Sequence, residues 1–240
     1  MNVLAIGAHP DDIEILCGGT LALYAEQGHK IFMAVATNGN VGTPDLSREE
    51  IARVRHEEQK RSCAVIGAEL IWMNFDDEWL FNDRPTRTVF LDAIRRANPQ
   101  VMFIHSANDY LSDHRVAGQV AEDCRIPCSV PLVETRLPHC EKIPDVFYMD
   151  NAAGIDFQPE VWVDVTGVIE KKRRMLACHQ SQDVWMRKAY DASIGELMER
   201  LSRMRGLAIN AQHAEGFRKL RTYPASASER LPRPSGVAGL

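Results

Sequence analysis

The chain of 240 residues predicts a single α/β domain: a Rossmann-like, mostly parallel sheet with helices on both faces. Three observations carry that expectation. Short apolar runs alternate with longer helix-like stretches through the first half of the chain. The runs are continuous rather than alternating, as in strands buried on both faces. The length suits one core large enough to need no disulfide or structural metal.

Residues 3–7 are an apolar run ending at Gly7-Ala8 and read as the first strand. Cys17-Gly18-Gly19 is read as the opening of a helix over 20–27, closed by Gly28. Residues 30–37 form a second buried strand, ended by Asn38-Gly39. A charged helix follows over 48–66, with Ile51, Val54, Cys63 and Ile66 on its buried side, and Gly67 closes it. A third strand is expected at 69–74. A helix at 87–97 stops at Asn98-Pro99, because the residue before proline disfavours helical angles. A fourth strand at 101–105 and a helix at 114–124 complete the regular part. After Arg125 the pattern loosens, with strands read at 130–133, 146–149 and 160–163 and helices at 168–179 and 194–210. Residues 1–223 are taken as the folded domain and 224–240, rich in Pro, Ser, Ala and Gly, as a loose tail.

Composition narrows the function. The formal net charge of -5 argues against a dedicated nucleic-acid binder, which carries a strong basic excess. No apolar run reaches the roughly 18 residues of a membrane span. The N-terminus enters a strand with no basic segment before it, so a cytoplasmic location is expected. The six cysteines include no CxxC pair and are expected as buried thiols. Trp72, Trp79, Trp162 and Trp185 are expected in the core, with sugar stacking as the alternative. Lys171-Lys172-Arg173-Arg174 reads as a solvated helix face.

In an open parallel sheet, ligands bind beyond the carboxyl ends of the strands. The first strand is followed at once by His9-Pro10-Asp11-Asp12-Ile13-Glu14, and the fourth, ending at His105, by a polar stretch running to Asp113-His114. Both clusters therefore fall at one sheet edge. Imidazole and carboxylate are ordinary zinc ligands, and three of them leave a position for water. His9 and Asp12 can reach one ion, and His114 or His105 is the natural third ligand. Asp11 borders a ligand but faces differently, placed to take a proton from the attacking water. A bland alternative is a polar turn whose aspartates cap a helix.

These residues resemble a known family. Ala8-His9-Pro10-Asp11-Asp12-Ile13-Glu14 resembles the AHPDDxE signature of the PIG-L/LmbE deacetylases. Thr37-Asn38-Gly39, Arg55-His56-Glu57-Glu58, Asp113-His114, Trp162-Val163-Asp164-Val165, His179-Gln180-Ser181-Gln182 and Ala214-Glu215-Gly216-Phe217 resemble later family segments in the family's order. The resemblance implies a zinc-dependent hydrolase that removes an N-acyl group, usually N-acetyl, from an amino sugar or sugar conjugate such as one containing N-acetylglucosamine. It implies His9, Asp12 and His114 as metal ligands, Asp11 as general base and Arg55 as a substrate contact, and it implies homo-oligomers. Glu14, Asp77 and Tyr110 are further candidate substrate contacts, and Asp113 and His179 further catalytic candidates. No nucleic acid or membrane partner is expected.

One position departs from the family. The first place of its H-x-D-H element, a histidine that assists the oxyanion or the leaving amine, is Leu111 here. Tyr110, His105 and His179 are the candidates to supply that donor, His179 first. A metal-binding protein without hydrolytic activity is therefore the main alternative. A nucleotide-binding protein is the weaker one, since no G-x-G-x-x-G follows the first strand.

Overall fold

The structure, a computed structural model, describes residues 1–223. The expected tail at 224–240 lies outside them. Seven strands form one sheet: β1 (Asn2–Gly7), β2 (Lys30–Thr37), β3 (Glu69–Phe75), β4 (Val101–Ile104), β5 (Asp145–Met149), β6 (Val161–Asp164) and β7 (Ala214–Lys219). Their order is β3-β2-β1-β4-β5-β7-β6. Strands β1 to β5 are parallel, and β7 runs antiparallel to both β5 and β6. Seven helices accompany them: α1 (Asp12–Glu26), α2 (Arg48–Val65), α3 (Arg84–Ala97), α4 (Ser112–Asp123), α5 (Ile169–Leu176), α6 (Gln180–Tyr190) and α7 (Ile194–Leu207).

Each central strand feeds two cores, which is why its apolar run is unbroken. In β1, Val3 and Ala5 face a core built with α1, α5 and α7, while Leu4 and Ile6 face one built with α3 and α4. Register keeps the faces aligned: Val3 pairs with Ile31 and Val101, Ile6 with Ala34 and Ile104. The chain leaves β1 for β2 and β3 on one side and takes up β4 and β5 on the other. The carboxyl ends of β1 and β4 thus flank the switch point of the sheet.

Several elements differ from the sequence expectation. Helix α1 begins at Asp12, not at residue 20, so Gly18 and Gly19 lie inside it. The reason is close packing: a Cβ on Gly19 would sit 2.7 Å from Val165. The amides of Gly19 and Thr20 also donate to the Glu215 carboxylate at 2.8 and 2.7 Å. The expected strand at 130–133 is absent; a short 3-10 turn at Pro127–Ser129 stands there instead. Its carbonyls, with those of Val130 and Leu137, turn inward onto the buried Arg95 guanidinium. A helix expected over 168–179 stops at Leu176, and α6 starts separately at Gln180. Strand β7 had no apolar run to announce it, because Glu215 within it is polar and buried. The basic run is not wholly solvated: Lys172 is 1% exposed and bonds Glu215 at 2.5 Å. All six cysteines are free, five of them buried. Among the described residues, no helix is long and apolar enough to cross a membrane.

Removing one member of a buried ion pair leaves the other charge uncompensated, at a cost of several kcal/mol. Glu215→Gln should therefore lower unfolding stability by about 3 kcal/mol in urea titrations. The double change Lys172→Met with Glu215→Leu should lower it less, since neither charge is stranded.

Candidate metal centre and active site

The turn after β1 is built to present side chains. Its Ala8 carbonyl accepts the Thr37 amide at 2.8 Å and the Thr37 hydroxyl at 2.9 Å, which ties it to β2. Asp11 takes a left-handed conformation, φ 108°, and Asp12 enters α1 at once. The His9 amide donates to Asp12 Oδ2 at 2.7 Å, closing the turn. From the β4 side, α4 starts at Ser112 and carries His114 in its first turn.

His9, Asp12 and His114 meet here. Their ligand atoms all lie within 4.8 Å of one another. His9 Nδ1 is 3.2 Å from His114 Nε2, and His114 Nε2 is 3.2 Å from Asp12 Oδ1. The far nitrogens of both rings are held by carboxylates: His114 Nδ1 lies 3.0 Å from Asp109 Oδ2, and His9 Nε2 lies 3.0 Å from Asp77 Oδ1 and 3.6 Å from Asp113 Oδ2. A carboxylate behind a histidine fixes its tautomer and aims its other nitrogen, the usual arrangement around a bound metal. Two other ligand-like groups overlap this one: His105 with Asp109 and His114 shares the His114 ring and its carboxylate, and His9 with Asp77 and Asp113 shares the His9 ring and its carboxylates.

The electrostatics suit a cation. Burial pushes the His114 ring down, but Asp12 and Asp109 outweigh it and raise its pKa to about 9. Burial also opposes protonation of His9, yet Asp113, Asp12 and Asp77 hold its pKa well above the usual value. The field that retains those protons would equally favour a divalent ion in their place. Nitrogen and oxygen donors of this kind fit zinc, and also iron or cobalt.

Asp11 stands apart from the ligand set. Its Oδ2 is 3.3 Å from Arg55 Nη2, which also donates to the Pro10 carbonyl at 2.7 Å. Burial raises its pKa to about 6 even against the Arg55 charge. Gly39, at φ 65°, is pressed against that arginine; a Cβ there would lie 2.4 Å from Arg55 Nη1. Glu14 is wholly buried and accepts from Gln59 Nε2 at 2.7 Å and from Ser62. His179 is buried against it: Nε2 is 3.2 Å from Glu14 Oε1, at an angle that makes no hydrogen bond. Both Asp11 and Glu14 raise the pKa of His179, against burial, which lowers it.

The other expected positions are distributed as follows. Asp113 accepts from the backbone amides of Glu78 (2.9 Å) and Leu80 (3.4 Å), anchoring the β3–α3 loop beside His9. Tyr110 is exposed, and Leu111, also exposed at 39%, caps α4 without a side-chain hydrogen bond. His105 is buried and stacked on His114 at 4.0 Å, where its Nε2 meets the Ala8 amide at 3.0 Å. Asp109 received no role from the sequence, although its place five residues before His114 on a polar loop was the available signal. Glu58, 2% exposed, was likewise unassigned; it accepts from the Ser181 amide and hydroxyl and so ties α2 to the start of α6.

Comparison with known proteins gives a consistent picture. The profile of the family described as PIG-L, GlcNAc-PI de-N-acetylase, matches residues 4–124. The diacetylchitobiose deacetylase of Thermococcus kodakarensis is 30% identical over 199 residues, covering 77% of this chain and 72% of that protein. The 4-oxalmesaconate hydratase of Pseudomonas putida is 26% identical over 195 residues, covering 76% and 74%. The structure of N,N'-diacetylchitobiose deacetylase from Pyrococcus horikoshii superposes with a TM-score of 0.79 at 25% identity, covering 91% of this chain and 83% of that one.

Loss of an orienting carboxylate typically weakens metal binding by about 10- to 100-fold. Asp109→Ala should do so here, read by competition for zinc with a chromogenic chelator. An unchanged affinity would show that Asp109 does not aim His114 at an ion.

Proposed function

This chain belongs to the PIG-L family, and from that premise we propose that it is a metal-dependent hydrolase that removes an N-acyl group, most simply acetyl, from an amino sugar or sugar conjugate. The observation that carries this reading is the grouping of His9, Asp12 and His114, with Asp11 beside it and outside it. Named relatives in the comparison act as deacetylases of N-acetylated sugars.

We assign His9, Asp12 and His114 to hold the ion, with zinc the first choice. When bound, it supplies Lewis acidity toward the acyl carbonyl and the attacking water. The chain's own residues do the rest. Asp11, raised toward neutral pH and braced by Arg55, takes the proton of the attacking water on its carboxylate. Asp77, Asp109 and Asp113 keep His9 and His114 aimed. Glu14 and His179 are paired behind Asp11, buried away from solvent, so we assign His179 to act on Asp11 through its charge rather than to touch the amine. Arg55 is buried too, and its reach toward substrate would be through Asp11 and the Pro10 turn. Of the three candidates for the missing donor, Tyr110 is the one exposed to solvent, and burial raises the pKa of its hydroxyl so that it keeps its proton.

Leu111 favours a second reading. It is apolar where a donor to a leaving amine would stand. Addition of water to a carbon–carbon double bond, the reaction in the name of the hydratase relative, uses the same water activation and expels no amine. An acetate-release screen over N-acetylated sugars with zinc, run beside an absorbance assay on unsaturated dicarboxylates, separates the two. Acetate release supports the first; loss of the conjugated absorbance without acetate supports the second.

Asp11→Asn should keep its metal yet lose on the order of 10²-fold or more in turnover. If metal is lost in parallel, Asp11 is a ligand and its assignment is wrong. His179→Ala should lower turnover per folded molecule by about tenfold or more with normal metal content; an unchanged rate would leave it a packing residue only.

A further inference from the structure

Core burial is the common fate of a large aromatic, yet Trp79 is 61% exposed and Phe81 is 59% exposed. Their rings lie 6.4 Å apart, tilted by 47°. They sit on the loop between β3 and α3, and that loop is held firmly. The amides of Glu78 and Leu80, on either side of Trp79, donate to the Asp113 carboxylate. The Trp79 amide donates to the Asp76 carbonyl at 3.3 Å, and the Asp83 amide to the Phe81 carbonyl at 3.0 Å. Leu80 between the two aromatics is buried in the core with α3. Glu78 takes a left-handed φ of 69°, which turns the chain so that Leu80 points in while Trp79 points out.

The anchor matters as much as the exposure. Asp113 directly precedes His114 and stands 3.6 Å from His9 Nε2, so one carboxylate joins the aromatic loop to the metal centre. Two other loops at this sheet edge also expose apolar side chains: Val41 and Leu46 after β2, Tyr110 and Leu111 after β4. The loops that carry the polar centre thus also carry exposed apolar side chains, and the aromatic pair sits on the loop tied to that centre through Asp113. Exposed apolar patches beside a polar cleft mark contact with a ligand or partner. A pyranose suits this rim, since one face carries axial C–H groups that lie flat on an indole while the ring edge keeps its hydroxyls in water.

We propose that Trp79, supported by Phe81, is a stacking subsite for the second sugar ring of an N-acetylated saccharide of two or more rings, whose first ring carries the scissile amide into the metal centre. This rests on the deacetylase reading. The subsite selects by length: a single-ring substrate fills the centre and leaves the aromatic pair untouched.

The test compares acetate release from N-acetylglucosamine and N,N'-diacetylchitobiose by zinc-loaded wild type, Trp79→Ala and Trp79→Phe. Trp79→Ala should raise the KM for the disaccharide relative to that for the monosaccharide by about tenfold, the size of an aromatic stack, with kcat for the disaccharide held within about twofold. Trp79→Phe should recover most of the loss. An equal KM change for both sugars, or none, overturns the subsite. So does a change in sedimentation of Trp79→Ala, which would make the aromatic pair a contact between copies of the chain. A second readout does not depend on turnover: N,N'-diacetylchitobiose should shift the tryptophan emission of the wild type, and Trp79→Phe should abolish the shift. If neither sugar releases acetate but that shift appears, the subsite stands and the deacetylase reading falls. If acetate is released without the shift, the reading stands and the subsite falls.

Discussion

The carboxylate of Asp12 is the point on which this site depends. It accepts the His9 amide at 2.7 Å and approaches His105 Nε2 and His114 Nε2 at 3.2 Å each. It is also the first residue of α1. One side chain thereby closes the turn after β1, starts the helix that crosses back over the sheet, and gathers two histidines from the β4 side. Burial alone would favour its neutral form, but His114 and His105 hold its pKa well below the usual carboxylate range. The two histidines thereby keep the carboxylate charged, as a ligand to a cation would have to be.

Around Asp12 the structure separates two kinds of acid. Asp77, Asp109 and Asp113 are committed to histidines or backbone amides and serve as supports. Asp11 is turned away by its left-handed backbone; burial raises its pKa, and the Arg55 charge beside it offsets only part of that rise. Neighbouring aspartates in one turn thus acquire opposite tendencies, the Asp12 pKa held low and the Asp11 pKa raised to about 6. This division follows from partners alone, since both are buried to the same degree.

Behind Asp11 lies a second polar layer, with Glu14, Gln59, Ser62 and His179 packed between α1, α2 and the start of α6. Glu58 holds Ser181 and so fixes where α6 begins. In front of the centre the rim is apolar, and Leu111 belongs to it. Leucine there reads less as a lost catalytic group in isolation than as part of a surface shared with Tyr110, Trp79 and Phe81.

The parallel sheet, and the fall of the His9–Asp12 turn and of the polar stretch ending at His114 at one edge of it, were legible in the sequence. Continuous apolar runs mark strands buried on both faces, and polar clusters directly after two such runs must fall at the same edge. These are local signals. What escaped depends on partners far apart in the chain. Gly18 and Gly19 read as the opening of a helix rather than its interior because nothing nearby shows that Glu215, 196 positions from Gly19, bonds its amide. Residues 130–133 looked like a strand because Arg95, which draws the Val130 carbonyl inward, lies 35 positions earlier. Asp109, Asp77 and Asp113 were indistinguishable as acids until packing decided which faced a histidine and which an amide. The exposure of Trp79 was likewise decided in three dimensions, where Asp113 holds its loop and Leu80 takes the buried place. Composition and periodicity report what a residue prefers; only tertiary packing decides which competing partner satisfies it.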